Sequence, residues 1–483
     1  WGEEGYGQVG NGEVSYRTIP TALEGGVSGF SRISTGFEHA CGLLDSGEAY
    51  CWGRGDSGQL GDGMYGSSTL PVEVMTSASF QEVSSGSFHS CALTPAGEAY
   101  CWGAGSSGRL GTGSTASEST PAPVSGGHAF QDLRAGYYHT CGVTSAGQVL
   151  CWGSNGDGQL GDGVSSYSPV PIAPAVPPGR TFSGAGTGVY HSCALTESGE
   201  VWCWGYNYYG QLGDETFDDR MTPVQVTGLP SDMTALAVGG YHSCALDGSG
   251  KVWCWGRNYE RQLGGSFGSF VATAQEVPGD QVFESLFATY YGTCGLTGAG
   301  EVFCWGQNSR GQLGVGDLGY YNGPQEVAGD RQWVMVGDGF GFNHTCGVTV
   351  SGDAYCWGWQ RRGALGNGRW GVQLYPVPVG TGLSFGPPVL ESPGQGSAGR
   401  RAGMRSGLRF PSLLRSRGRT SGTAPQLFRI QGESPPLFQI PPPEPPAECF
   451  ENVLRPEVAD RCREMSGPGR TDPPGVRDPG GGR

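Results

Sequence analysis

Residues 136–163 read GYYHTCGVTSAGQVLCWGSNGDGQLGDG, and the architecture of the whole chain follows from them. Two short apolar runs, CGVT and QVLCW, flank the link Ser145-Ala146-Gly147, as in a β-hairpin. Counting inward from the cysteines, Cys141 faces Cys151 and Val143 faces Val149. The three-residue loop then ends on glycine, at the position that takes a left-handed backbone. A glycine-rich loop follows the second strand.

The same pattern returns along the chain. Cysteines pair at a spacing of ten as Cys41/Cys51, Cys91/Cys101, Cys141/Cys151, Cys193/Cys203, Cys244/Cys254, Cys294/Cys304 and Cys346/Cys356, and successive units lie 50 to 52 residues apart. Each second cysteine is followed by Trp-Gly and then by a variant of G-Q-L-G. Ahead of each pair lies another apolar segment, such as Phe130-Gln-Asp-Leu, and ahead of that a proline-containing one, such as Pro71-Val-Glu-Val. Four short strands per unit of this length describe a β-propeller blade.

The pattern H-[ST]-C-x-L-x-x-x-G-x-x-x-C-W-G-x-x-x-x-G-Q-L-G resembles the regulator of chromosome condensation repeat, over roughly residues 1–380. That resemblance implies an all-β, seven-bladed propeller with four-stranded blades, its Phe-x-x-Val strands innermost and its Pro-Val-x-Val strands outermost. The family's familiar nuclear members lack the paired cysteines. A bacterial propeller-type β-lactamase inhibitor protein is similar in architecture. Residues 1–25 repeat the end of a unit and align with the stretch from Trp357 to Val379. Either this N-terminal piece or Pro376–Val379 must pair the last blade's edge, because an open edge strand invites aggregation; by family analogy the N-terminal piece is expected to close the ring. The chain opens on Trp1, inside a motif, which points to a missing or processed N-terminus.

Composition agrees with this division. Glycine supplies 90 of 483 residues, which disfavours long helices. The net charge is −15; residues 381–483 carry 14 Arg, no Lys and 10 Asp or Glu, a net of +4, which leaves −19 for residues 1–380. An acidic body is a poor ligand for phosphate backbones, so nucleic acid is excluded as a partner. No run of 18 apolar residues is present, so no membrane-spanning helix is expected. The expected domains are the partial repeat 1–25, the propeller 26–380, and a disordered Pro/Gly/Arg-rich tail 381–483 holding the unmatched Cys449 and Cys462.

Opposed positions on a hairpin lie within disulfide range, about 4.5–5.5 Å between Cα atoms. Zinc is the rival for the cysteines, but C-x-x-C pairs are absent; reduced core thiols are the other competing state. One disulfide per blade is the favoured reading, and it implies an oxidising compartment, outside the cell or at its surface. His39, His89, His139, His191, His242 and His344 each stand two residues before a first cysteine, with Gly292 at that place in the sixth unit. A group repeated around a ring is architectural, and its expected partner is the neighbouring backbone. Gly55-Asp56-Ser57-Gly58 imitates a serine nucleophile loop, but its siblings read GSSG and NGDG. Asp62 and Asp162 fit turn positions better than calcium sites. No catalytic constellation, metal site or cofactor is expected, and Asn343-His344-Thr345 is a glycosylation sequon.

Variation concentrates in the two residues before each histidine position. Phe37, Phe88, Tyr137, Tyr138, Tyr190, Tyr241, Tyr290, Tyr291 and Phe342 fall there, and the loops after Trp-Gly add Tyr208, Tyr259 and Trp359 on the same rim. These aromatics either plug the channel or form an exposed binding ring; the expected role is partner binding. The chain thus reads as a monomeric, secreted or cell-surface module that captures a protein partner, with enzyme inhibition as a special case. Carbohydrate binding on the same rings is the alternative. Guanine-nucleotide exchange is a third role, opposed by the acidic body and the cysteine pairs.

Overall fold

The computed structural model describes residues 16–23, 26–337, 341, 343–359 and 361–367. Within them, 28 strands form seven antiparallel four-stranded sheets. Six sheets are continuous in sequence and span residues 30–73, 82–123, 130–172, 182–225, 233–276 and 283–326 (blades 1 to 6). Blade 7 combines Trp333–Val336, His344–Thr349 and Ala354–Trp359 with Tyr16–Ala22 as its fourth strand, pairing Tyr16 with Trp359 and Thr21 with Cys356. The alternative strand Pro376–Val379 lies outside the described residues, as do the tail 381–483, Cys449 and Cys462.

Blade 3 shows how the repeat builds a blade. Its hairpin pairs Thr140 with Trp152, Cys141 with Cys151 and Val143 with Val149. Gly147 closes the turn at φ +75°, as the loop requires. The Thr144 N–H bonds Gln148 O, so alternation along the ladder places the cysteines at a non-hydrogen-bonded pair, where opposed chains approach closest.

All seven pairs occupy this register and form disulfides. Cys41 is bonded to Cys51, Cys91 to Cys101, Cys141 to Cys151 and Cys193 to Cys203. Cys244 is bonded to Cys254, Cys294 to Cys304 and Cys346 to Cys356. The Cα atoms stand 4.0–4.1 Å apart, which corrects the wider spacing expected for a generic opposed pair. The reason is the register: a bridge across the closer kind of pair draws the strands together. In all seven blades the second cysteine also faces the outermost strand, Cys356 through its pairing with Thr21. Cys51 opposes Val72, Cys101 Ala122, Cys151 Ile172, Cys203 Val224, Cys254 Gln275 and Cys304 Gln325.

The core lies between blades. Cys141, Cys151 and Leu160 of blade 3 pack on Phe182 and Trp204 of blade 4, and the other seams repeat this. The seven tryptophans that follow the second cysteines are fully buried. The last glycine of each G-Q-L-G loop makes room for the next one: a Cβ at Gly61, at φ +73°, would stand 2.8 Å from Trp102 Nε1. Pro71, Pro121, Pro171, Pro223 and Pro324 blunt the outer strands at one aligned position. Blade 5 has Ala274 there, and its N–H bonds Thr227 O of blade 4 at 3.3 Å.

Five of the six repeat histidines tie the seams through side-chain hydroxyls. His139 Nε2 meets Ser192 Oγ at 2.7 Å, and Ser192 Oγ donates to Gln159 O at 2.8 Å. Trp204 Nε1 donates to the same carbonyl at 2.9 Å. Equivalent histidine–hydroxyl contacts join His39 to Ser90, His89 to Thr140, His191 to Ser243 and His242 to Thr293, at 2.9–3.0 Å. The sequence signal for this is the Ser or Thr that follows the histidine position in six of the seven units.

Candidate functional site

In blades 1 to 6 the innermost strand turns into the second through a two-residue hairpin. Gly36 N–H bonds His39 O at 2.8 Å and Gly136 N–H bonds His139 O at 2.8 Å, which leaves residues 37–38 and 137–138 as the tips. Tips of different blades meet over the ring axis. The Phe37 ring lies 5.8 Å from Phe88, 5.8 Å from Tyr137 and 6.4 Å from Tyr290, while Tyr137 lies 6.2 Å from Tyr290. Tyr241 packs 5.7 Å from Tyr290, Tyr138 stacks on Tyr190 at 5.5 Å, and Tyr291 sits 4.5 Å from Tyr290. These edge-on and stacked contacts suit the ring quadrupoles. They bury Tyr241 and Tyr290 to 8% and 5% exposure, and burial holds the Tyr290 hydroxyl far above its usual pKa. The inner aromatics thus form a plug across the channel mouth, with Phe37, Phe88, Tyr137, Tyr138, Tyr190 and Tyr291 half-buried around it. Phe342 lies outside the described residues.

Arginines without a repeat register brace this plug. Arg257 sits 4.8 Å from the Tyr291 ring, 5.3 Å from both Tyr209 and Tyr259, and bonds Glu260 at 2.9 Å. Arg109 lies over Tyr138 at 5.3 Å and donates to Tyr137 O at 3.1 Å. Arg54 covers Phe88 at 4.9 Å and pairs with Glu38 and Asp56, and Arg362 of blade 7 reaches Asp56 at 2.7 Å. Arg310 lies over Trp359 at 4.8 Å. Sequence reading misses them because they occupy three different loop positions, and only packing brings them to one rim.

The accessible aromatic surface lies further out. Gly153 pairs with Ser168, so the long loop between the third and fourth strands leaves and re-enters a blade on the plug side. The tips of these loops expose Tyr65, Tyr167, Phe217, Tyr259 and Tyr320 to 40–57%, and Tyr208 to 38%. These six are all the strongly exposed aromatics among the described residues, and they share one face. The sequence points only to Tyr208 and Tyr259; the other four show no repeat register in it.

The remaining candidate motifs become scaffold. All fourteen cysteines of the described residues are buried in the blades and bridged, so Cys51, Cys101, Cys203, Cys254 and Cys304, each with no exposed surface, hold strands together and offer nothing to a partner. Ser57 N–H bonds Gln59 Oε1, and Asp56 is held by two arginines. Asp62 caps its own turn through Met64 N–H, and Asp162 accepts from Asn155 and from Val164 N–H. Among the described residues no group of three His, Cys, Asp or Glu is placed to hold a metal ion. Thr345 of the sequon is fully buried and Asn343 is 8% exposed.

Comparison with known proteins agrees with this geometry. The RCC1-like domain model matches residues 125–395, and regulator of chromosome condensation (RCC1) repeat models match residues 46–93 and 96–143. The probable E3 ubiquitin-protein ligase HERC4 of Homo sapiens is 46% identical over 81 residues, 16% of this chain and 8% of that protein. The mitochondrial RCC1 domain-containing protein RUG3 of Arabidopsis thaliana is 38% identical over 78 residues, 16% of this chain and 18% of its own length. The match therefore spans less than a fifth of either relative. Human WBSCR16 superposes with a TM-score of 0.62 at 22% identity, covering 71% of this chain and 90% of its own. Yeast RCC1 (Prp20), solved with Kap60 bound, superposes with a TM-score of 0.60 at 21% identity, covering 74% and 83%. With seven blades in register and the domain model matching more than half of the sequence, the chain belongs to the RCC1-like domain family.

Proposed function

We propose that this propeller is a secreted or cell-surface module that binds a protein partner on the plug face, without catalysing a reaction. The observation that carries the reading is the gathering of every strongly exposed aromatic of the described residues on that face. Large amphipathic rings at the tips of braced loops supply contact area at low entropic cost, as binding hot spots do. The compartment rests on the seven buried disulfides, whose regular use suits an oxidising environment. A protein partner is also consistent with the yeast propeller seen bound to Kap60 and with the binding properties of Prp20p to Gsp1p and histones.

The test is affinity capture from the extracellular medium and from the surface of source cells. It compares the native protein with a variant carrying Tyr65→Ala, Tyr208→Ala, Phe217→Ala and Tyr259→Ala. The expected outcome is an unchanged melting temperature with loss of the captured protein. Capture that survives all four substitutions would sink the reading. A glycan-array signal lost with the same substitutions would move it to carbohydrate binding, and stimulated nucleotide exchange on a small GTPase under reducing conditions would replace it.

A further inference from the structure

The central channel is closed at the plug end by rings from blades 1, 3 and 6, so it is entered from the opposite face. Beneath the plug the innermost strands of blades 2 to 6 line a cavity of about 370 Å³, within the size range of small-molecule sites. These strands run toward the plug-side turns, so position along a strand measures depth. Ser183 and Thr234 stand at the mouth and are exposed. Their hydroxyls are turned onto their own blades, donating to Leu195 O at 3.3 Å and to Leu246 O at 3.2 Å. Thr187 ends the same strand as Ser183 and lies deep, 5% exposed. It lines the cavity, and its hydroxyl bonds no group of the described residues. Leu236, Val238, Leu286 and Phe287 supply the apolar part of the wall.

The charges at the cavity are matched internally. Asp132 and Arg134 are the ionisable residues among those that line it, and they bond each other at 2.9 Å. Asp132 also accepts the Ala185 N–H at 2.7 Å, and Arg134 also approaches Glu82, outside the lining, at 3.9 Å. Both ions are engaged, so a charged ligand would shed its hydration without gaining a counter-ion.

We propose that this channel binds a small uncharged alcohol, its hydroxyl set against Thr187 and its apolar body on the Leu236–Phe287 wall. A threonine hydroxyl offers one donor and two acceptor sites, and an alcohol can answer both kinds. Low local dielectric under the plug strengthens that bond. Room lies beside it, because a Cβ added at Gly184 would meet only Asp132 Oδ2, at 3.9 Å. This site is independent of the aromatic face and stands or falls without it.

The test uses 2-phenylethanol, its hydroxyl-free analogue ethylbenzene, the cation 2-phenylethylamine and the anion 3-phenylpropanoate in isothermal titration calorimetry on the intact chain. The alcohol should bind saturably at one site, and each of the other three at least about tenfold more weakly. Thr187→Val keeps the side-chain shape and should cut alcohol affinity by about tenfold, with the melting temperature and the affinity for ethylbenzene unchanged. Gly184→Leu should fill the cavity and abolish binding, and it carries the test should Thr187→Val fail to fold. Alcohol affinity matched by ethylbenzene or by either ion would overturn the proposal. So would alcohol binding that is unchanged in Thr187→Val or survives Gly184→Leu, or no heat from the alcohol at millimolar concentration.

Discussion

The seam between blades 3 and 4 and the seam between blades 7 and 1 descend from one repeat, yet they are held differently. In the first, His139, Ser192, Trp204 and the Gln159 carbonyl form one buried hydrogen-bonded group. In the second, Ala40 stands where the hydroxyl belongs, and His344 Nε2 is buried without a hydrogen-bond partner. The His344 ring instead meets a backbone group of His39, and Trp52 Nε1 donates to Ala364 O at 3.2 Å. The seam between blades 6 and 7 is depleted from the other side: Gly292 removes the histidine, while Thr345 still bonds Gln312 O at 2.8 Å. Blade 7 thus lacks the histidine–hydroxyl bond at both of its seams, and it is also the blade whose fourth strand comes from the far end of the chain. The difference locates the weak sector of the ring.

Acidification should break the regular seams with the largest effect. Burial lowers His39, His139, His191 and His242 from 6.5 to about 3 and His344 to about 4, with His89 also well below its ordinary value. These folded pKa values are depressed, so above 6.5 both folded and unfolded chains are neutral and stability is intact. Below it the unfolded chain takes up protons that the folded ring refuses, and stability falls by roughly 2 kcal/mol per histidine by about pH 5. Denaturant midpoints should therefore drop steeply from neutrality to that pH; a flat profile would mean the seam histidines are not held neutral. Next in size, His139→Ala should cost about 2–3 kcal/mol, because it leaves a cavity in place of a buried ring and removes one of the two hydrogen bonds of the Ser192 hydroxyl. His344→Ala should cost distinctly less in the same urea titrations, and equal losses would erase the contrast between the seams.

Repair should give a smaller change of opposite sign. Ala40→Ser places a hydroxyl opposite His344 and should stabilise by about 1 kcal/mol, with slower amide exchange in blade 7. Gly292→His should gain less, since its Cβ would lie 3.1 Å from Thr289 Oγ1 and from Trp305 O. The smallest expected effect is none. The sequon threonine lies in the strand His344–Thr349 and is fully buried, so secreted protein should show the same intact mass, apart from the substitution itself, with or without Asn343→Gln. A glycan-sized mass difference would require the sequon to be modified before blade 7 folds.

What the sequence disclosed about the site followed distance along the chain. Tyr208 and Tyr259 are legible because they sit in recognisable loops, and both are exposed. Tyr241 and Tyr290 follow from the same logic yet are buried, since exposure at the axis depends on which rings arrive from the other blades. Tyr65, Tyr167, Phe217 and Tyr320 escape it because loop tips free of packing carry no periodic signal.

The repeat, the hairpin register, the cysteine pairing and the turn glycines are all written in the chain. Each is settled within about ten residues, where spacing and backbone sterics act directly. The partner of each histidine, the arginine braces, the plug over the channel and the face that stays open to solvent had to await the folded ring. These depend on groups from 28 to 306 residues apart, brought together by packing one blade on the next and pairing Tyr16–Ala22 with Ala354–Trp359. Gly136–Gly163 specifies a blade; where Tyr137 and Tyr138 come to rest is set by the ring.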